Sequence, residues 1–75
     1  MASKTKKLTE ILLLKDMSIH KVQFDTEWFY ALEDMAFYLK EDLSEVETVQ
    51  LPVVYDGIRI LTPCATLEDI ERGRP

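Results

Sequence analysis

The hydrophobic pattern is clearest in the last third of the chain, where two apolar runs flank Asp56-Gly57. The runs, residues 48–55 and 58–65, are rich in β-branched and other apolar side chains and are typical of strands. Asp-Gly favours a two-residue type I′ turn, because both central residues of that turn need positive φ. The pattern therefore predicts a β-hairpin.

The length of the turn sets the register of this hairpin. Residues on either side of a two-residue turn face each other, which pairs Tyr55 with Ile58, Val53 with Ile60 and Leu51 with Thr62. Side chains alternate between the two faces of a strand, so one face is almost wholly apolar. We expect the rest of the domain to cover this face, which consists of Leu51, Val53, Tyr55, Ile58 and Ile60.

The opposite face of the hairpin is also mostly apolar, since it carries Pro52, Val54 and Leu61. Near the middle of the chain, Phe37 and Tyr38 lie partly off the apolar stripe of a predicted helix. Apolar residues that a small domain cannot bury by itself are typical of protein–protein contacts. These five residues are the candidate interface, and we expect a homodimer or another protein partner.

The first third of the chain is less clearly patterned. Residues 1–7 are polar and basic, and we expect them to be disordered, ahead of a single domain over residues 8–75. Residues 8–17 fit either a helix or a short strand, and the pattern does not decide between them. Residues 18–24 have alternating sides, which predicts a strand.

The stretch after residue 24 allows two interpretations. Apolar residues recur at helical spacing, which predicts one amphipathic helix over 26–43 with Asp25 or Thr26 as its cap. Alternatively, the aromatic run 27–30 forms a second strand after a two-residue turn, and the helix spans 31–43. The aromatic residues favour the strand, and the unbroken period favours the helix.

A short helix is predicted after the hairpin. The Thr66 side chain can accept a hydrogen bond from the amide of Asp69, and the Asp69 carboxylate can reach back, as in a capping box. Gly73 and Pro75 are expected to end this helix.

The chain has 75 residues and one cysteine, Cys64. A domain of this size usually gains support from disulfides, a metal or a partner chain. One cysteine excludes an internal disulfide and a tetrahedral cysteine zinc site, which favours self-association. The unpaired thiol and the lack of a recognisable secretory signal predict a cytoplasmic protein.

The net charge of −5 is unevenly distributed. Residues 1–24 carry five lysines and two carboxylates (+3), residues 25–47 one lysine and eight carboxylates (−7), and residues 48–75 three arginines and four carboxylates (−1). An acidic middle repels the phosphates of nucleic acid. DNA binding is therefore the alternative hypothesis, and it would use residues of the basic first third: Lys4, Lys6, Lys7, Lys15, Lys21 and His20.

No arrangement of residues indicates catalysis. His20 is the only histidine, and a nucleophile system would need a serine or Cys64 beside it, with a third residue to orient the ring. Many carboxylates are consecutive, and neighbours on a helix point about 100° apart, so they do not converge as an acid–base pair. Neither glycine belongs to a phosphate-binding motif. We expect a protein that is not an enzyme and has no catalytic residues, cofactor or metal.

Residues 27–39, EWFYALEDMAFYL, resemble the opening of the Bro-N domain of phage antirepressors and baculovirus repeated-ORF proteins. That family shows a strand ending in Trp and two aromatic or apolar residues, and then a helix that opens with Asp and closes with Leu. The positions that match are Trp28, Phe29, Asp34 and Leu39. The similarity covers residues 18–72 and includes Leu51-Pro52, Asp56-Gly57, Arg59, Thr62 and residues 66–70.

The resemblance favours the strand interpretation of residues 27–30. It implies an α+β fold, a small single domain with two β-hairpins packed on one central helix and a short C-terminal helix. It also implies DNA binding, although the acidic middle of this chain departs from the basic surface of the family. We expect a small regulatory or protein-interaction module that resembles a shortened Bro-N domain, with residues 44–47 as a compressed loop.

Overall fold

The structure, a computed structural model, describes residues 9–75, so the disorder expected for residues 1–7 lies outside the described residues. Within that range the elements are α1 (Glu10–Lys15), β1 (Lys21–Phe24), β2 (Glu27–Ala31), α2 (Leu32–Leu39), β3 (Val49–Tyr55), β4 (Ile58–Ala65) and α3 (Leu67–Gly73). The predicted α+β class is confirmed. None of these helices has both the length and the apolar run that crossing a bilayer requires.

The four strands form one antiparallel sheet in the order β1-β2-β4-β3. The two hairpins meet where β2 pairs Tyr30 with Ala65 and Ala31 with Cys64. They are therefore halves of one sheet, and the three helices of the described chain contribute to the core on one face of it.

Both hairpins close with two-residue turns whose central residues have positive φ. The values are 53° and 65° in the first turn and 51° and 80° in the second, for Asp25, Thr26, Asp56 and Gly57 respectively. Positive φ at both positions is the property of type I′ turns, whose twist matches that of the strands. The predicted β3–β4 register is confirmed, with Tyr55 opposite Ile58.

The stretch after residue 24 adopts the strand interpretation, and the single helix over 26–43 is wrong. β1 and β2 pair Phe24 with Glu27 across the first turn. The helix that follows is also shorter than predicted, because Lys40 adopts the left-handed conformation with φ 57° and ψ 43°. Leu43 is buried nonetheless, so the apolar spacing that suggested a longer helix reflects the packing of the loop after α2.

The two ends of α3 explain two features of its sequence. The Thr66 side chain accepts a hydrogen bond from the Asp69 amide at 3.2 Å, as predicted, whereas the Asp69 carboxylate contacts Arg72 instead of reaching back. Gly73 is the last residue of the helix and not a stop beyond it. A Cβ at this position would lie 2.8 Å from the Cα of Val46, so the glycine permits close packing.

The sheet buries a separate cluster on each face. On one face, Leu51, Val53 and Cys64 pack with Val22 and Phe29 of the first hairpin. Because β1 and β3 are opposite edges of the sheet, contact between them requires the sheet to curl. The other face contributes to a larger cluster with the helices and loops, consisting of Leu13, Ile19, Tyr30, Met35, Leu39, Leu43, Val46, Ala65 and Ile70.

The predicted cover of the second hairpin is incomplete. Leu51 and Val53 are buried as predicted, but Ile58 and Ile60 are 63% and 48% exposed. Among the described residues, positions 58–63 of β4 pair only with β3. The reason is that β2 ends at Ala31, where the chain enters α2, and that Pro63 has no N–H with which to extend the pairing. The far half of the hairpin therefore projects as a two-stranded ribbon.

A buried ion pair joins the end of the chain to the loop after α2. The Arg74 side chain is fully buried, and its Nε and Nη2 each donate a hydrogen bond of 2.8 Å to the Glu41 carboxylate. A longer contact of 3.4 Å reaches Glu71. The hydrogen bonds to Glu41 raise the pKa of Arg74, in opposition to the effect of burial.

Candidate interaction surface

The far half of the second hairpin exposes apolar residues on a surface that we call the outer hairpin face, consisting of Pro52, Val54, Arg59, Leu61 and Pro63. Strand pairing sets Pro52 beside Leu61 and Val54 beside Arg59. Val54 is 53% exposed and Leu61 67% exposed. The structure therefore brings three of the five candidate interface residues together on one face.

The other two candidate interface residues belong to α2 and not to the hairpin. Phe37 is 85% exposed, whereas Tyr38 is half-buried against the larger core cluster. Both line a shallow cavity of about 460 Å³ together with Ser18 and Asp34. We call Phe37 and Tyr38 the α2 surface. It lies on a different element from the outer hairpin face.

His20 is part of a polar cluster that fastens the curled sheet to α2. Asp34 accepts a hydrogen bond from the His20 backbone N–H at 2.9 Å and lies 2.7 Å from His20 Nδ1. The His20 ring also packs on Tyr55, with ring centroids 4.2 Å apart and a 39° tilt. One residue precedes β1, one lies in the first turn of α2 and one ends β3, so the cluster links both edges of the sheet. Sequence reasoning missed it, because these residues are distant along the chain.

This cluster does not contain an activated nucleophile. The Cys64 thiol is fully buried and donates a hydrogen bond to the Thr62 carbonyl at 3.3 Å. Burial raises the pKa of the Cys64 thiol and of the Tyr55 phenol, which disfavours thiolate and phenolate. Nor does any group of three or more His, Cys, Asp or Glu side chains within residues 9–75 suit a metal ion.

The structure describes three of the six candidate nucleic-acid contacts, and one of these three pairs with a carboxylate. Lys15 is exposed at the end of α1, and Lys21 Nζ donates to the backbone carbonyl of Asp16 at 2.9 Å. These two lysines therefore lie near each other, but His20 contacts Asp34. The remaining three lie outside the described residues: Lys4, Lys6 and Lys7.

An acidic cleft of about 390 Å³ adjoins the first hairpin. It is lined by Trp28 and by four glutamates, Glu10, Glu27, Glu68 and Glu71. One of them, Glu10, accepts a 2.9 Å hydrogen bond from the buried Tyr30 hydroxyl. Burial and this carboxylate together raise the pKa of Tyr30. A cleft of this charge repels phosphate, so it does not extend a DNA-binding surface.

Among these surfaces, the outer hairpin face combines exposed apolar side chains with a regular strand pairing. Comparison with known proteins does not identify a relative: no protein family, curated protein or solved structure matches the chain.

Proposed function

We propose that this protein is a small regulatory module that acts by binding another protein and not by catalysis. The observation that carries this proposal is the outer hairpin face, where Val54 and Leu61 are more than half exposed beside Pro52. Full burial of a Val or Leu side chain is worth about 1.5–3 kcal/mol. A partner that covers this face buries these side chains, and part of that free energy then stabilises the complex.

We propose further that the module resembles a shortened Bro-N domain. Support comes from the positions of the matching residues, since Trp28 and Phe29 lie in β2 and Asp34 lies in the first turn of α2. From β1 onward, the element order is strand, strand, helix, hairpin and helix, which is the order that the resemblance implies. The finer arrangement, two hairpins packed on one central helix, belongs to the same proposal, as does a cytoplasmic location.

The partner that we propose is a second copy of the chain, and sedimentation velocity tests it. We expect the sedimentation coefficient of the full chain to rise with concentration through the micromolar range. Leu61→Ser should weaken this association if the outer hairpin face is the interface. Phe37→Ser should weaken it instead if the α2 surface is the interface.

Ile11→Ser is the matched control, because Ile11 is 67% exposed, as Leu61 is, and lines neither surface. This variant should associate like the natural chain. A chain that remains strictly monomeric at every concentration would remove the homodimer, and equal behaviour of all three variants would remove both surfaces.

DNA binding is the second candidate function, and the proximity of Lys15 and Lys21 at the junction of α1 and β1 is the observation in its favour. In that case a mobility shift at low salt must weaken steeply as salt rises. Replacing Lys6, Lys7 and Lys21 together with Glu must abolish it. The absence of a shift at low salt would eliminate this function.

A further inference from the structure

The projecting ribbon has an edge whose backbone groups have no partner within the described chain. Residues beside a two-residue turn exchange hydrogen bonds, and bonded and non-bonded pairs then alternate along an antiparallel ladder. Tyr55 and Ile58 are the first bonded pair, so Val53–Ile60 and Leu51–Thr62 are bonded too. The N–H and C=O groups of the intervening β4 residues, Arg59 and Leu61, therefore point away from β3.

On the β2 side, those groups of β4 meet no neighbouring strand. The β2–β4 pairing reaches only Cys64, because β2 gives way to α2 after Ala31, and Pro63 has no N–H with which to extend it. The side chains of Ile58, Arg59, Ile60 and Leu61 are all exposed, so this edge is open to solvent. Unpaired strand edges with apolar side chains are templates for another strand.

The opposite edge of the ribbon is different. Pro52 occupies a position of β3 that points away from β4, because its cross-strand neighbour Leu61 is not in a bonded pair. A proline in such a position removes an outward donor and prevents regular pairing along that edge. The two edges of one hairpin are thus unequal, and the β4 edge is the competent one.

We infer that two copies of the chain associate by antiparallel pairing of their β4 edges over residues 58–62. This inference rests on the proposed function and specifies how the outer hairpin face meets its partner. The register with Ile60 on the two-fold axis lets Arg59 of each copy exchange both backbone hydrogen bonds with Leu61 of the other. Four backbone hydrogen bonds form, and the apolar faces of the two ribbons become continuous.

Other registers are poorer for reasons of charge and donors. Placing Arg59 on the axis sets two guanidinium groups opposite each other, which is destabilising. Placing Leu61 on the axis sets Arg59 opposite Pro63, which has no N–H to donate. The Ile60 register is the one that uses every outward donor of the segment.

Charge favours a second copy as the occupant of this edge. Residues 48–65 contain one charged residue of each sign, Asp56 and Arg59, and are neutral overall, whereas the whole chain carries −5. Contact through residues 25–47, which carry −7, would bring like charges together. A contact between two hairpins, each of which is neutral, brings no excess of like charge together.

The test compares two proline variants of the full chain by sedimentation equilibrium. Leu61→Pro removes an outward donor of the β4 edge without removing a hydrogen bond between β3 and β4. Val54→Pro is the matched control, since it does the same on the β3 edge. We expect a natural chain that reaches twice its 8.7 kDa mass, at least a tenfold weaker dimer for Leu61→Pro, and an unchanged dimer for Val54→Pro.

Amide hydrogen exchange keeps the inference testable if a proline variant fails to fold. In the natural chain, the amides of Arg59 and Leu61 should exchange at least tenfold more slowly at concentrations that favour the dimer than at dilution. The Val54 amide on the other edge should not change. A dimer without this protection, or one that Leu61→Pro leaves intact, would overturn strand pairing and leave the binding module standing. A strict monomer would overturn the strand pairing and the proposed homodimer together, and would leave the edge to an extended segment of another protein.

Discussion

The two hairpin turns make the same backbone conformation with unequal residues. The second turn has Gly57 at φ 80°, which glycine adopts without steric cost, whereas the first has Thr26 at φ 65°. Threonine is β-branched, and its side chain crowds the backbone when φ is positive. Replacing Thr26 with Gly should therefore stabilise the protein.

The size of the gain follows from two opposing effects. An L-residue in the left-handed region costs about 1–2 kcal/mol, and glycine avoids that cost. Glycine also loses more conformational freedom on folding, which costs about 0.5–1 kcal/mol. The net gain for Thr26→Gly should be about 0.5–1 kcal/mol, and each kcal/mol should raise the unfolding temperature by about 4–8 °C in a domain of this size. Thr26 is exposed, so no buried packing is lost.

The assay is urea unfolding at one fixed protein concentration, followed by far-ultraviolet circular dichroism. Gly57→Thr is the reciprocal control, because a Cβ on Gly57 would meet nothing within 4 Å and only the backbone would be strained. By the same two opposing effects, it should lower the unfolding free energy by about 0.5–1 kcal/mol. If Thr26→Gly lowers stability, or if Gly57→Thr leaves it unchanged, the assignment of strain to these turns is refuted.

Three further predictions concern buried groups. Arg74→Met should lower the unfolding free energy by about 3–5 kcal/mol, because it removes the two hydrogen bonds to the largely buried Glu41 carboxylate; an unchanged denaturation midpoint would contradict this. Gly73→Ala should lower the unfolding free energy by about 1–3 kcal/mol, because the added Cβ overlaps Val46. An unchanged denaturation midpoint would show that the end of α3 can shift to make room. Because burial raises the pKa of Tyr30, stability should fall as pH rises above its ordinary value of 10.0, where the unfolded chain releases the proton first. The slope should be about 1.4 kcal/mol per pH unit, and Tyr30→Phe, measured in parallel, should lack this contribution.

The second hairpin was predictable from the sequence because its information is local. Asp56-Gly57 specifies the turn, the turn specifies the register, and both appear as predicted. The first hairpin was ambiguous, because Asp25-Thr26 carries no glycine and the residues after it keep a helical period. Local pattern alone could not choose between a strand and a helix there.

What the sequence could not supply depends on contacts between distant residues. The end of α2 at Lys40 has no glycine or asparagine to mark it, although its left-handed conformation stops the helix. The bidentate pair of Arg74 and Glu41 joins residues 33 positions apart. The exposure of Ile58 and Ile60 likewise follows from where β2 ends, and the alternation within the hairpin carries no such information.

Because Cys64 is buried, the reactivity of its thiol reports the opening of the sheet in the natural chain. The thiol sits in a central strand, opposite Ala31 on one side and Val49 on the other, and it is the only cysteine. A bulky alkylating reagent can reach its sulfur only when these strands separate. Where strands reclose faster than alkylation occurs, the rate of alkylation measures the free energy of that opening without an engineered label.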